Sequence, residues 1–188
     1  MPALRYMHEG EEAISTLREG TRMPPIKPGH TSDDFDLFIA VPMSGFSSRE
    51  AYDRNRLQVL DLIQTVSEYP GISQVYYAGT HISKNTNFTK PEDALVEDLG
   101  AVARSHAFLL IYPEKTATGA LVELGYALAL KKPVAILVRD RQDLPYFLRH
   151  ITGRFRSEVS GLISIQCYGS DEDLIETAIG SLTDLDIL

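Results

Sequence analysis

"AFLLIYPEKTATGALVELGYALALKKPVAILV", residues 107–138, sets two short apolar runs on either side of a polar loop and a longer apolar segment. The runs at 107–112 and 134–138 lack polar alternation, as strands do when both of their faces are buried. The segment at 119–131 is too long for a strand and is bounded by Thr118-Gly119 and by Pro133, so it reads as a helix. A strand, a crossover helix and a second strand make a unit whose strands lie parallel.

Working outward, the same pattern repeats. Further strands are expected at 36–42, 74–79 and 162–168, and helices at 48–68, 92–104, 143–151 and 171–183. Pro91 followed by Glu92 and Asp93 suits a first helical turn, and Ser170 with Asp173 is a capping-box pair. Five strand-helix units in strict alternation predict an α/β fold in three layers: a five-stranded, mainly parallel sheet with helices on both faces. Residues 1–34 differ, carrying Pro24, Pro25, Pro28 and Gly29 before a polar run. They are expected to be an N-terminal arm or linker ahead of one α/β domain at 35–188.

The bulk properties narrow the function. A chain of 188 residues with 44% hydrophobic residues can bury a core of its own. Its net charge of -8 is the wrong sign for a general nucleic-acid or acidic-membrane surface, so a small-molecule partner is expected. Cys167 is the single cysteine, which leaves no intrachain disulfide and fits a reducing cytoplasm. No apolar run reaches membrane-spanning length and no signal pattern opens the chain, so a cytoplasmic location is expected. His8, His30, His106 and His150 show no ligand spacing, and neither a metal nor another cofactor is expected.

In parallel sheets, ligands bind beyond the carboxyl ends of the strands. That rule selects the loops at 42–50, 79–88 and 113–119, all rich in hydroxyls and glycine. In the first, Ser44, Gly45, Ser47 and Ser48 precede a helix and offer hydroxyls and free N–H groups to a phosphate or a sugar oxygen, although the same residues also serve as an ordinary N-cap. Met43 is placed to touch a base or sugar, with Arg49 and Arg54 as candidate phosphate partners. His81 in the second loop and Tyr112 at the end of the third strand are candidates for the border of a base, Tyr112 by stacking. Tyr76 and Tyr77 alternate along a strand, so at least one belongs to the core.

Glu123 stands out in the third region. It lies in a helix apolar on almost every side, where a carboxylate costs several kcal/mol unless something compensates it. Thr118 is the expected N-cap, which puts Glu123 in the second turn, where the positive helix end favours the ionised form of a nucleophile. Gly125, Ala127 and Ala129 are small, as a helix pressed against a sheet requires. A second group of acids, Glu92, Asp93, Glu97 and Asp98, lies on the preceding helix; most should face water, but Asp98 adjoins the apolar stripe of Leu95, Leu99 and Val102.

The stretch "VEDLGAVARSHAFLLIYPEKTATGALVELGYALALKKPVAIL" (96–137) resembles the nucleoside 2-deoxyribosyltransferase superfamily, with a weaker likeness at 37–45. That superfamily includes deoxyribosyltransferases, nucleotide N-hydrolases and NAD-consuming antiphage effectors. Its motif acid ahead of a strand falls on Asp98-Leu99, and its "E-L-G-x-A" helix on Glu123 to Ala127. The resemblance implies a flavodoxin-like or Rossmann-like sheet, Glu123 as nucleophile at the sugar C1′, and Asp98 as the acid that orients the sugar or assists proton transfer. It also implies a homodimer or larger homo-oligomer. Transferases of the family carry a further acid six residues before the nucleophile, and phosphate-recognising hydrolases a serine. Here that position is Ala117, so Thr116, Thr118 and Gly119 are the residues left to contact substrate, or the substrate differs from both.

The expected activity is therefore cleavage of an N-glycosidic bond in a nucleoside or nucleotide, by hydrolysis or by transfer. An NAD glycohydrolase, of the antiphage-effector type or of the TIR type with its single glutamate, is the nearest alternative, and a non-catalytic nucleotide sensor is another. The cytokinin-activating phosphoribohydrolases place Gly-Gly-x-Gly-Thr before their glutamate, a run that Thr116-Ala117-Thr118-Gly119 lacks.

Overall fold

The computed structural model describes residues 34–43, 46–80, 91–116, 118–151 and 163–188, with the side chains of 91 and 92 excepted. The chain divides into two units, Met1–Thr31 and Ser32–Leu188. Apart from Asp34, the expected arm at 1–34 lies outside the described residues.

Five strands form one sheet: β1 (Phe35–Ala40), β2 (Val75–Tyr76), β3 (Ser105–Tyr112), β4 (Val134–Val138) and β5 (Ile163–Cys167). The order is β2-β1-β3-β4-β5 and every pairing is parallel. The helices between them are α1 (Arg49–Val66), α2 (Pro91–Arg104), α3 (Ala120–Ala129), the single turn α4 (Tyr146–Arg149) and α5 (Asp173–Thr183). This is the three-layer α/β sheet that the alternating pattern predicts.

Strand pleating sorts the core in two. Leu109 and Ile111 of β3, with Ala135 and Leu137 of β4, meet Val59 and Leu62 of α1 and Leu174 and Ala178 of α5. Phe108, Leu110 and Tyr112, with Val134, Ile136 and Val138, meet Val102 of α2 and Leu124 and Ala127 of α3. Because successive side chains point to opposite faces, a strand with apolar residues at every position supplies both cores at once.

The structure departs from the sequence reading at several element ends, and three of these departures have a local reason. β1 ends at Ala40 instead of 42, two residues before Pro42, which has no N–H to continue a ladder. β2 is two residues long, because the chain turns into a 3₁₀ turn at Ala78–Thr80 where Thr80 N–H donates to the Tyr77 carbonyl at 3.0 Å. The helix expected at 143–151 shrinks to α4: Pro145 stands at its N-cap, and Arg141–Asp143 form a separate 3₁₀ turn capped by Asp140.

Two devices fix helix ends, one on each face of the sheet. α3 closes through Lys131 in the left-handed region (φ 60), with Lys132 N–H donating to the Ala127 carbonyl at 3.1 Å. The Lys132 ammonium then donates to the carbonyls of Ala103, at 3.0 Å, and Ser105, tying the end of α2 to the start of β3. At α5, Ser170 N–H donates to Asp173 and Asp173 N–H donates to the Ser170 hydroxyl, the reciprocal box its sequence predicts.

Candidate active site

From β1 the chain moves to β2 on one side of the sheet, then crosses back over β1 to reach β3. The loops after β1 and β3 therefore diverge and leave a crevice at the carboxyl edge of the sheet. A cavity of about 310 Å³ occupies it, walled by Phe38–Val41, Met43, Tyr77-Ala78, Ala94 and Leu95 of α2, and Thr118–Ala120. Two acids enter this largely apolar space: Asp98 from α2 and Glu123 from α3.

Glu123 reaches the cavity because α3 begins beside it. The first helical residue is Ala120, with Gly119 at the N-cap, so Glu123 lies in the first turn and not the second. Thr118 still contributes from one position further out, its hydroxyl accepting the Ala120 N–H at 3.3 Å. The Glu123 N–H is already used by the Gly119 carbonyl at 3.1 Å. The rest of α3 is less enclosed than its composition suggests. Ala120, Leu124 and Ala127 are buried, whereas Val122 is 56% exposed and Gly125 and Ala129 face outward. Of the three small residues, only Ala127 is explained by packing against the sheet.

The helix end does not keep Glu123 ionised. Burial, and then the charge of Asp98, raise its carboxyl from 4.5 to about 8. A helix N-terminus offers a carboxylate roughly 0.3–2 kcal/mol. The opposing shift corresponds to roughly 5 kcal/mol at 1.36 kcal/mol per pH unit, so desolvation and repulsion win. In the open cavity at neutral pH, Glu123 carries a proton.

Asp98 is also raised, first by burial and further by Glu97, but one contact opposes both. The Tyr76 hydroxyl donates to Asp98 Oδ1 at 2.8 Å, which favours the anion. The Tyr76 phenol is itself pushed well above its usual range by burial and by that bond, so it acts as a donor. Neither acid meets a lysine or arginine among the described residues. As anions the two carboxylates repel, and with no cation beside them among the described residues that repulsion adds to the burial that raises Glu123.

Of the residues singled out in the sequence, Met43, Asp98, Thr118, Gly119 and Glu123 line this one cavity. Tyr112 and Thr116 do not. The Tyr112 ring is 1% exposed in the core, and its hydroxyl donates to the Thr116 carbonyl and accepts the Thr116 N–H at 3.0 Å. It therefore folds the loop that presents Thr118 and is not free to stack on a base. Ser44, Gly45, Ala117 and His81 lie outside the described residues. Ser48 is an N-cap, accepting the Ala51 N–H at 3.1 Å, and Arg49 pairs with Asp53 on the surface. Arg54 lines a separate cavity of about 620 Å³ on the α1 and α5 side, with Asn55, Arg139 and Ser170.

The sequence reading missed the part played by Tyr76 and Tyr77. Tyr77 walls the cavity and belongs to the α1 core, while Tyr76 lies on the opposite face against Phe38. Strand alternation separates the two rings. Only the register of β2 on β1, which pairs Tyr76 with Phe38, shows which of them meets α2.

Among the described residues, no three His, Cys, Asp or Glu side chains are grouped as a metal site needs. No family model matches the sequence, and no curated protein matches it. Among solved structures, the chain is similar to a CMP N-glycosidase of Clostridium botulinum, BcmB. The two share 14% identical residues over 76% of this chain and 96% of the other, with a TM-score of 0.48.

Proposed function

We propose that the protein cleaves the N-glycosidic bond of a nucleoside or nucleotide, with Glu123 attacking C1′ of the sugar and Asp98 holding the sugar in place. The observation that carries this reading is the pair itself: two carboxyl groups, with no cation beside them among the described residues, in one largely apolar cavity at the carboxyl edge of the sheet. Such a pair is costly in a resting protein and suited to a cationic transition state.

Breaking the bond sends its electron pair to the base and leaves positive charge spread over C1′ and the ring oxygen. A Glu123 oxygen bonds to C1′ and forms an ester. Water then adds at C1′, displaces Glu123 as carboxylate and gives up a proton to solvent, which completes hydrolysis; a second base that adds through a ring nitrogen and loses its N–H proton in the same way completes transfer. A neutral departing base takes a proton on its ring nitrogen, while an already cationic base such as nicotinamide needs none. Glu123 must lose its own proton to solvent before it attacks. The growing positive charge of the sugar favours that loss, because it stabilises the two anions that otherwise repel each other.

The test is a panel of nucleosides, nucleoside monophosphates and NAD, with base release followed chromatographically and a free base added in parallel to detect transfer. Wild type should cleave one of these classes, and Glu123→Gln should lose roughly a thousandfold or more of that turnover. Undiminished turnover in Glu123→Gln contradicts the proposal. A nucleotide bound tightly and never cleaved points to a sensing module instead.

A further inference from the structure

The two acids of the cavity are not equivalent: burial weighs on Glu123, and β2 supplies a donor to Asp98 alone among the described residues. That strand has only two residues, yet Tyr76 is held from several sides. Register places it beside Phe38, whose ring stacks on it at 5.1 Å and 18°, and Phe35 meets it edge-on at 5.2 Å. The Phe38 ring is backed in turn by Phe108 at 5.3 Å and 6°. A ring clamped in this way has little freedom to withdraw, and its hydroxyl reaches Asp98 Oδ1 at 2.8 Å.

Among the described residues, four elements and one loop surround the pair. From α2 come Asp98 and its neighbour Glu97; from α3 comes Glu123; from β2 comes Tyr76. β1 supplies the apolar residues Phe38–Ala40, Val41 follows it, and the loop before α3 supplies the Thr118 hydroxyl, which accepts the Ala120 N–H. Among the described residues no lysine or arginine lines the cavity, and no donor meets the Glu123 carboxyl. Among the described residues, Tyr76 is thus the donor that meets either acid, and it serves only Asp98.

We propose that Tyr76 is the positioning residue of the acid pair: its phenol, held by the rings around it, donates to Asp98 and favours the Asp98 anion over the Glu123 anion. This rests on the proposed reaction for its purpose, since it sets Asp98 as the constant acceptor for a sugar hydroxyl and Glu123 as the group whose ionisation gates attack. The placement of the proton is a property of the protein alone.

The experiment is a carbon-13 NMR titration of the Asp98 and Glu123 carboxyl carbons in the full-length, substrate-free protein, with assignments from Asp98→Asn and Glu123→Gln. In wild type, Asp98 should titrate at the lower pH and Glu123 at the higher. In Tyr76→Phe, the Asp98 midpoint should rise and the Glu123 midpoint should fall, each toward the other. Replacing Tyr76 by a fluorotyrosine keeps the ring and strengthens the donor, and should move the Asp98 midpoint down. That second protein carries the test should Tyr76→Phe not fold. Unmoved midpoints in a folded variant, or Glu123 titrating below Asp98 in wild type, overturn the inference. A protein that shows these shifts and cleaves no glycosidic bond overturns only the reaction.

Discussion

Glu123 is kept protonated in the open cavity by burial and by Asp98, in that order. An attacking carboxylate must be ionised, so kcat/KM for the cleaved substrate should climb about tenfold per pH unit and level off above about pH 8. Asp98→Asn removes the repelling charge. The remaining turnover should then show its rising limb at lower pH, while burial still holds the limb above the ordinary carboxylate range. A pH profile flat from pH 5 to about 9 contradicts the assignment. In the sequence, Glu123 was legible as an anomaly, a lone acid among apolar neighbours, but its protonation was not. The helix N-terminus is visible in one dimension and argues for the anion; the facing Asp98 comes from another element and argues against it more strongly.

At the scale of elements, the short strand β2 and the turn after it shape one wall of the cavity. Asp36 secures its start, accepting the N–H groups of Ser73 at 2.7 Å and Gln74 at 2.9 Å. Arg56 of α1 secures its end by donating to the Gly79 carbonyl at 2.8 Å. Gly79 lies under the Tyr77 ring so closely that a Cβ there would stand 2.3 Å from ring atoms. Gly79→Ala should therefore push Tyr77 out of the cavity wall and destabilise the fold by roughly 1–3 kcal/mol. Urea unfolding checks the second effect and substrate KM the first; an alanine tolerated with both unchanged refutes this view of the turn. Elements with dense apolar runs, such as β3 and β4, could be read from sequence because burial on both faces admits few alternatives. β2 and α4 could not be bounded in that way. The limit of β2 is set by Gly79 meeting a ring and an arginine from α1, and α4 is cut short by Pro145, whose effect on the preceding residues depends on the turn that Asp140 caps.

For the molecule as a whole, an acid held protonated links stability to pH. The Glu123 carboxyl binds its proton more tightly folded than unfolded, so its contribution is complete below about pH 4.5 and is lost as pH rises through about 8. Glu123→Gln has no such loss. At about pH 9 it should be more stable than wild type by up to roughly 5 kcal/mol, with the two closer together near pH 4, as urea unfolding across pH can measure. Stability falling equally with pH in both proteins counts against a buried, protonated Glu123. The layer order and the crevice were legible from the alternation of strands and helices. The meeting of Asp98 and Glu123 was expected only through resemblance, because it depends on how α2 and α3 lie across the sheet. The most direct measurement of the central claim uses a nucleoside fluorinated at C2′, which slows breakdown of any ester at C1′. Intact-protein and peptide mass spectrometry after a quench should find one glycosyl group, carried by Glu123. A glycosyl group on another residue, or bases released at an undiminished rate by Glu123→Gln, would contradict it.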